Sequence, residues 1–177
     1  MLVCNHLNDL DPVTLFWYFR KSQPIFISKR ENSSMFLVGP LMHMTMCQLI
    51  NRENDREALK TILSCVRLLK EDMNSVAVFP EGYIKDDRLL RRFRSGVFKI
   101  AQRTRVPIVV CTLRNTHKIL HNFLHFKKTH VHLHLVGVIE PERWEGATTV
   151  DIANKAYEMM AADLGPELVW QESDTNS

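Results

Sequence analysis

No apolar run in this sequence is long enough to cross a bilayer. The longest, Val106 to Leu113, is strand-sized, far short of the roughly 18 residues a membrane helix needs, so no integral anchor is predicted here. The N-terminus has neither a basic region nor an extended apolar one, and no signal peptide is predicted. The four cysteines (Cys4, Cys47, Cys65 and Cys111) form no Cys-x-x-Cys pair. Each lies in an apolar segment, which predicts buried, reduced thiols and a cytosolic compartment. Repeats, low-complexity tracts and linkers are also missing, so residues 1–177 are expected to form one domain.

What is present suits a globular protein with a full hydrophobic core: 177 residues, 45% apolar and 24% charged. The net charge of +3 is unevenly spread. Lys85 to Arg105 holds eight Lys/Arg against two Asp, a local +6, and Glu140 to Asp174 holds nine acids against two bases, a local −7. A basic block suits nucleic acid, anionic lipid or a phosphorylated substrate; it also suits a solvated helix face.

The elements alternate. Strands are predicted at Leu2–Cys4, Pro24–Ser28, Leu49–Ile50, Ser75–Phe79, Val106–Leu113 and Val131–Ile139. Helices are predicted at Pro12–Arg20, within Met35–Gln48, from Asn54 to about Leu69, over Phe93–Arg105 and over Thr149–Leu164. Asn54-Asp55-Arg56-Glu57 resembles a capping box, and Leu59, Ile62, Leu63, Val66 and Leu69 follow at helical spacing. The order implies an α/β single domain, a largely parallel or mixed central sheet flanked by helices.

Ligands of open α/β sheets gather at the carboxyl ends of strands. Three such ends stand out: Asn5-His6, Phe79-Pro80-Glu81-Gly82, and the Lys29/Arg52 region. His6 leaves a short strand into a polar turn, and Asp11 follows five positions on, before Pro12. A neutral imidazole takes a proton from a hydroxyl at neutral pH, and a carboxylate fixes its tautomer and steadies the imidazolium. The plainer alternative is that Asp11 caps a helix and His6 is an ordinary turn residue. His130, His132 and His134 alternate along one predicted strand, with His121 and His125 upstream. No Cys or carboxylate at a suitable spacing completes a zinc set, so no metal site is expected.

His6-x4-Asp11, Ile50-Asn51-Arg52, Phe79-Pro80-Glu81-Gly82 and Val106-Pro107-Ile108-Val109 together resemble the glycerolipid acyltransferase family, whose best-known members are the 1-acyl-glycerol-3-phosphate acyltransferases. The four blocks stand in the family's order and cover about residues 2 to 140. The resemblance implies transfer of a fatty acyl group from an acyl-CoA or acyl-carrier-protein thioester to a lysophospholipid hydroxyl, most directly that of lysophosphatidic acid, giving phosphatidic acid. It implies His6 as base and Asp11 as its orienting partner, with no Ser or Cys nucleophile and no cofactor; Cys4 suits core packing. Asn5 would help hold the turn. Backbone N–H groups at Glu81 and Gly82 would face an anion or oxyanion, and Arg52 would bind the acceptor phosphate, with Lys29 a second candidate.

Two departures from the family pattern stand out. Tyr83-Ile84 replace the Thr-Arg that commonly follows Pro-Glu-Gly, which leaves Arg52, Lys85, Arg92 and Arg94 as substitutes for the missing phosphate-binding arginine. The chain also begins directly on the first block, where relatives carry upstream docking helices. Either this is a compact member or the start lies upstream. Contact with the membrane lipid acceptor, at the inner face of a membrane, would then rest on Phe16, Trp17, Tyr18, Met35, Phe36, Met42 and Met44, unless these are core. Two other readings stay open: an acyl thioesterase using the same dyad with water, and a non-catalytic domain binding anions or nucleic acid through residues 85–105. No nucleic-acid partner is expected under the family reading.

Overall fold

Strands covered on both faces read as continuous apolar runs rather than alternating ones, and the centre of this sheet is built from such strands. In the computed structural model, which describes residues 1–34, 38–44, 47–51, 54–71 and 74–171, β1 (Leu2–Cys4) and β4 (Val76–Val78) are buried at every position. They are flanked by β2 (Ile25–Lys29), β3 (Gln48–Ile50), β5 (Ile108–Arg114) and β6 (His132–Ile139). The order across the six-stranded sheet is β3-β2-β4-β1-β5-β6. Pairing is parallel except at β5–β6, which is antiparallel with a register shift at Val110/Cys111. The expected mixed α/β sheet is therefore observed.

The pleat sends alternate residues to opposite faces. Val3, Ile25, Val76, Val78, Ile108 and Val110 join one core cluster with buried residues of α3 (Asp55–Lys70), α4 (Lys99–Thr104) and α6 (Thr149–Leu164). Leu2, Cys4, Phe26, Ala77, Cys111 and Leu113 join the other with Leu15 of α1 (Asp11–Tyr18). Each large side chain fully buried this way contributes on the order of 1.5–3 kcal/mol. Two further helices, α2 (Val38–Met44) and α5 (Ile119–Leu124), lie in the connections β2–β3 and β5–β6.

Several local expectations shift. Along α3 the buried stripe is Ile62, Cys65 and Val66, while Leu59 and Leu63 are exposed. Asn54 caps the backbone N–H groups of Arg56 and Glu57, but the Glu57 carboxylate lies 3.8 Å from Arg30. The full capping box belongs to α6, between Thr148 and Asp151. The helix expected over Phe93–Arg105 is instead a 3-10 turn at Ser95–Phe98 followed by α4. Its start is displaced because the Arg94 N–H is committed to the Pro80 carbonyl, 2.9 Å away. Helix α5 was not anticipated. Met42 is buried, so it belongs to the interior, whereas Trp17 and Tyr18 are exposed. Met35, Phe36 and the side chain of Met44 lie outside the described residues.

Candidate active site

β1 ends at Cys4, and the next residue continues the sheet with its side chain. The Asn5 amide donates to the Leu113 carbonyl (3.0 Å) and accepts from the Leu113 N–H (2.7 Å). His6 then leaves the carboxyl end of the strand, its N–H donating to Glu81 Oε1 at 2.9 Å. Residues 6–11 wrap around the carboxylate of Asp11, which is fully buried at the start of α1. Asp11 Oδ2 accepts from the Leu7 and Asn8 N–H groups and from His6 Nδ1, 2.9 Å away. A carboxylate only accepts, so Nδ1 carries the proton and the lone pair sits on Nε2. Phe79 stacks on the imidazole, ring centroids 4.2 Å apart and 15° from parallel. Ring orientation and tautomer are thus both fixed, which a general base requires.

Two clefts meet at His6. The first is apolar, lined by Val13 and Phe16 of α1, Phe26 and Ile27 of β2, Met42 of α2, Cys47 and Phe79. The second is polar, lined by Ser28, Lys29, Asn32, Gly82, Tyr83, Asp86 and Arg88. His6 borders both.

Of the predicted contacts, Lys29 and Gly82 line the polar cleft. Gly82 takes a positive φ of 84°, which glycine adopts without strain, and its N–H closes a turn onto the Phe79 carbonyl at 3.1 Å. Glu81 has a different place. Its carboxylate points inward, only 4% of the residue is exposed, and its oxygens accept from the backbone N–H groups of His6 (2.9 Å) and Arg91 (3.0 Å). Burial pushes its pKa from 4.5 up to about 7, against the opposing pull of those N–H donors and the Arg91 charge. Glu81 is thus a brace for His6, and it lines neither cleft. Arg94 lines a third cleft with Ala58, Ile62, Ser95 and Val97, and this cleft shares Ile27, Phe79 and Gly82 with the polar one. Arg52 lies outside the described residues.

Sequence reasoning missed Arg88. It stands in the polar cleft with a positive φ of 56°, and its Nε donates to the Leu7 carbonyl at 3.3 Å. Its neighbours in the basic block turn to internal partners. Arg91 forms a bidentate pair with Asp87 (2.7 and 2.8 Å) and lies over Trp170, Arg92 lies 4.8 Å over the Tyr157 ring, and Lys85 lies over Tyr83. Burial raises the thiol pKa of Cys4 far above its usual range, which opposes a nucleophilic role. His134 bonds Asp163, and among the described residues no three His, Cys, Asp or Glu side chains converge as a metal set. The described cysteines are all free, and no helix among the described residues is long and apolar enough to cross a membrane.

A family model described as Acyltransferase matches residues 1–114. The chain is 30% identical over 168 residues to a 1-acyl-sn-glycerol-3-phosphate acyltransferase of Chlamydomonas reinhardtii, a match covering 94% of this chain and 49% of that protein. It is 29% identical over 144 residues to a protein of the same name from Cocos nucifera, covering 81% and 46%. A Haemophilus influenzae relative, again of that name, is 31% identical over 113 residues, covering 64% and 47%. The chain thus spans about half the length of the curated relatives it matches. Among solved structures, the 1-acyl-sn-glycerophosphate acyltransferase PlsC of Thermotoga maritima superposes with a TM-score of 0.57 over 97% of this chain and 67% of that one. At 18% identity this likeness is one of fold.

Proposed function

Because this chain belongs to the acyltransferase family, we propose that it moves a fatty acyl group from acyl-CoA or acyl-carrier protein to the hydroxyl of a lysophospholipid, most directly lysophosphatidic acid. The names of its relatives support that acceptor. The observation that carries the reading is the position of the His6–Asp11 pair where an apolar and a polar cleft meet. His6 Nε2 takes the acceptor's hydroxyl proton as the oxygen attacks the thioester carbonyl carbon. The tetrahedral intermediate collapses with cleavage of the C–S bond, and the imidazolium returns the proton to the departing thiolate. Asp11 stays ionised, steadying the imidazolium. Such a base is worth about 10²–10⁴ in rate.

The apolar cleft suits the acyl chain. Lys29 and Arg88 suit the acceptor phosphate, with Arg88 filling the role left open by Tyr83-Ile84. A lipid acceptor places the reaction at a membrane surface, and the expected setting is peripheral, on the inner face. The test is thiol release from acyl-CoA, and in parallel from acyl-carrier protein, with and without lysophosphatidic acid, for this chain and for His6→Ala. Release that needs the acceptor and disappears in His6→Ala is the expected result. Release indifferent to the acceptor identifies a thioesterase, and no release from either donor across several lysolipids removes the enzymatic reading.

A further inference from the structure

No Asp or Glu occurs between Asp87 and Glu140, a stretch holding eleven Lys/Arg. Within it lie α5 and the turn that follows. None of the residues of α5 is buried, yet four large apolar side chains stand out here: Leu120 is 54% exposed, Phe123 74%, Leu124 66% and Phe126 100%. Phe126 also holds a positive φ of 54°, an unfavourable conformation for an aromatic residue. Bonds from the Phe126 N–H to the Phe123 carbonyl (3.1 Å) and from the Lys127 N–H to the Asn122 carbonyl (2.8 Å) hold the turn that presents it. Lys118 precedes the apolar crest in the sequence and Lys127 and Lys128 follow it, all exposed. β5 runs parallel to β1, so α5 leaves the sheet at the same edge as His6. The crest lies beyond residues 1–114, the part matched by the family model.

We propose that α5 and its following turn dock on an anionic lipid surface. Leu120, Phe123, Leu124 and Phe126 enter the acyl layer while Lys118, Lys127 and Lys128 sit among the headgroups, and the strand-end edge carrying His6 faces the bilayer. An apolar crest with exposed lysines before and after it in a stretch that holds no acid has the charge complement of such a surface. The same lysines oppose a second copy docked crest on crest, where each crest would meet its own sign. Nucleic acid would leave the crest unburied. The role rests on the acyltransfer reading, since it locates where a lipid acceptor is collected; the docking itself does not.

The test is flotation of the whole chain with phosphatidylcholine vesicles and with phosphatidylcholine–phosphatidylglycerol vesicles. The chain is expected on the anionic vesicles. Phe123→Glu/Phe126→Glu is expected to weaken binding about 100-fold, and Lys127→Gln/Lys128→Gln about tenfold with a shallower salt dependence. Both pairs are exposed, so melting should be unchanged. Turnover of a water-soluble short-chain thioester and acceptor should survive Phe123→Glu/Phe126→Glu and vanish in His6→Ala. Equal vesicle binding by the phenylalanine variant and the parent overturns the proposal. So does binding lost to Trp17→Glu instead, or a lipid-free dimer that the phenylalanine variant dissolves. Vesicle binding that follows the variants, without turnover by the parent, supports the docking and removes the acyltransfer reading.

Discussion

Replacing Glu81 by Gln should separate stability from activity. The unfolded chain sheds the Glu81 proton near 4.5, and the folded chain near 7 because the carboxyl is buried. Between those values the folded state holds more protons, so stability is highest below about pH 4.5 and falls as pH rises through 7. At ~1.4 kcal/mol per pH unit the loss is about 3–4 kcal/mol. Glutamine cannot ionise and escapes it. However, its NH₂ must face one of the two N–H groups, from His6 or Arg91, that the carboxylate now accepts; that costs about 1–3 kcal/mol at any pH. Glu81→Gln is therefore expected to be less stable than the parent near about pH 4, and equal or more stable near about pH 8. Its kcat should fall about tenfold, because the backbone of His6, the proposed base, has lost a fixed support. Urea unfolding of both proteins across that range, with kcat measured near about pH 8, decides the matter. A stability difference that does not vary with pH, or an unchanged kcat, would show that the buried Glu81 carboxyl does not brace His6 in this way.

Asp11→Asn should lower kcat by about 10²–10⁴ with little change in KM, since the amide favours the wrong imidazole tautomer; steady-state kinetics check this. Arg88→Ala should raise KM for a phosphate-bearing acceptor about tenfold while leaving KM for the acyl donor unchanged, which varying each substrate in turn will show. Thr148→Ala removes the α6 cap, which bonds Asp151 reciprocally. It should cost about 1 kcal/mol and lower Tm by about 2–4 °C with kcat unchanged, as a thermal melt and an activity assay will test.

What the sequence disclosed depended on how far apart the partners lie along the chain. His6 and Asp11 are separated by a single turn, so their pairing was visible locally, and the buried strands announced themselves as apolar runs. The brace from Glu81 joins positions 75 apart; a Pro-Glu-Gly turn does not reveal where its carboxylate will point. Arg88 was lost among eight basic residues because only the folded chain shows which neighbours are stacked or paired. In α3, Leu59 and Leu63 fit the helical period yet face outward, because the buried stripe of the helix runs through Ile62, Cys65 and Val66. Helix α5 has six residues and no side-chain cap, too few to leave a periodic signal.

The Asn5 amide makes the same pair of bonds to Leu113 that a peptide group would make. One side-chain oxygen and one side-chain nitrogen stand in for a carbonyl and an N–H, so the ladder gains a rung that the main chain did not have to build. The backbone is released from the sheet one step early, and that slack lets His6 turn toward Glu81. Among the short side chains only asparagine carries a donor and an acceptor at this reach. Aspartate would set an acceptor against the Leu113 carbonyl, and alanine would leave both groups bare. An amide next to His6 is thus a requirement of sheet geometry before it is one of chemistry, and anyone grafting this site onto another parallel sheet would need to carry the asparagine along with the histidine.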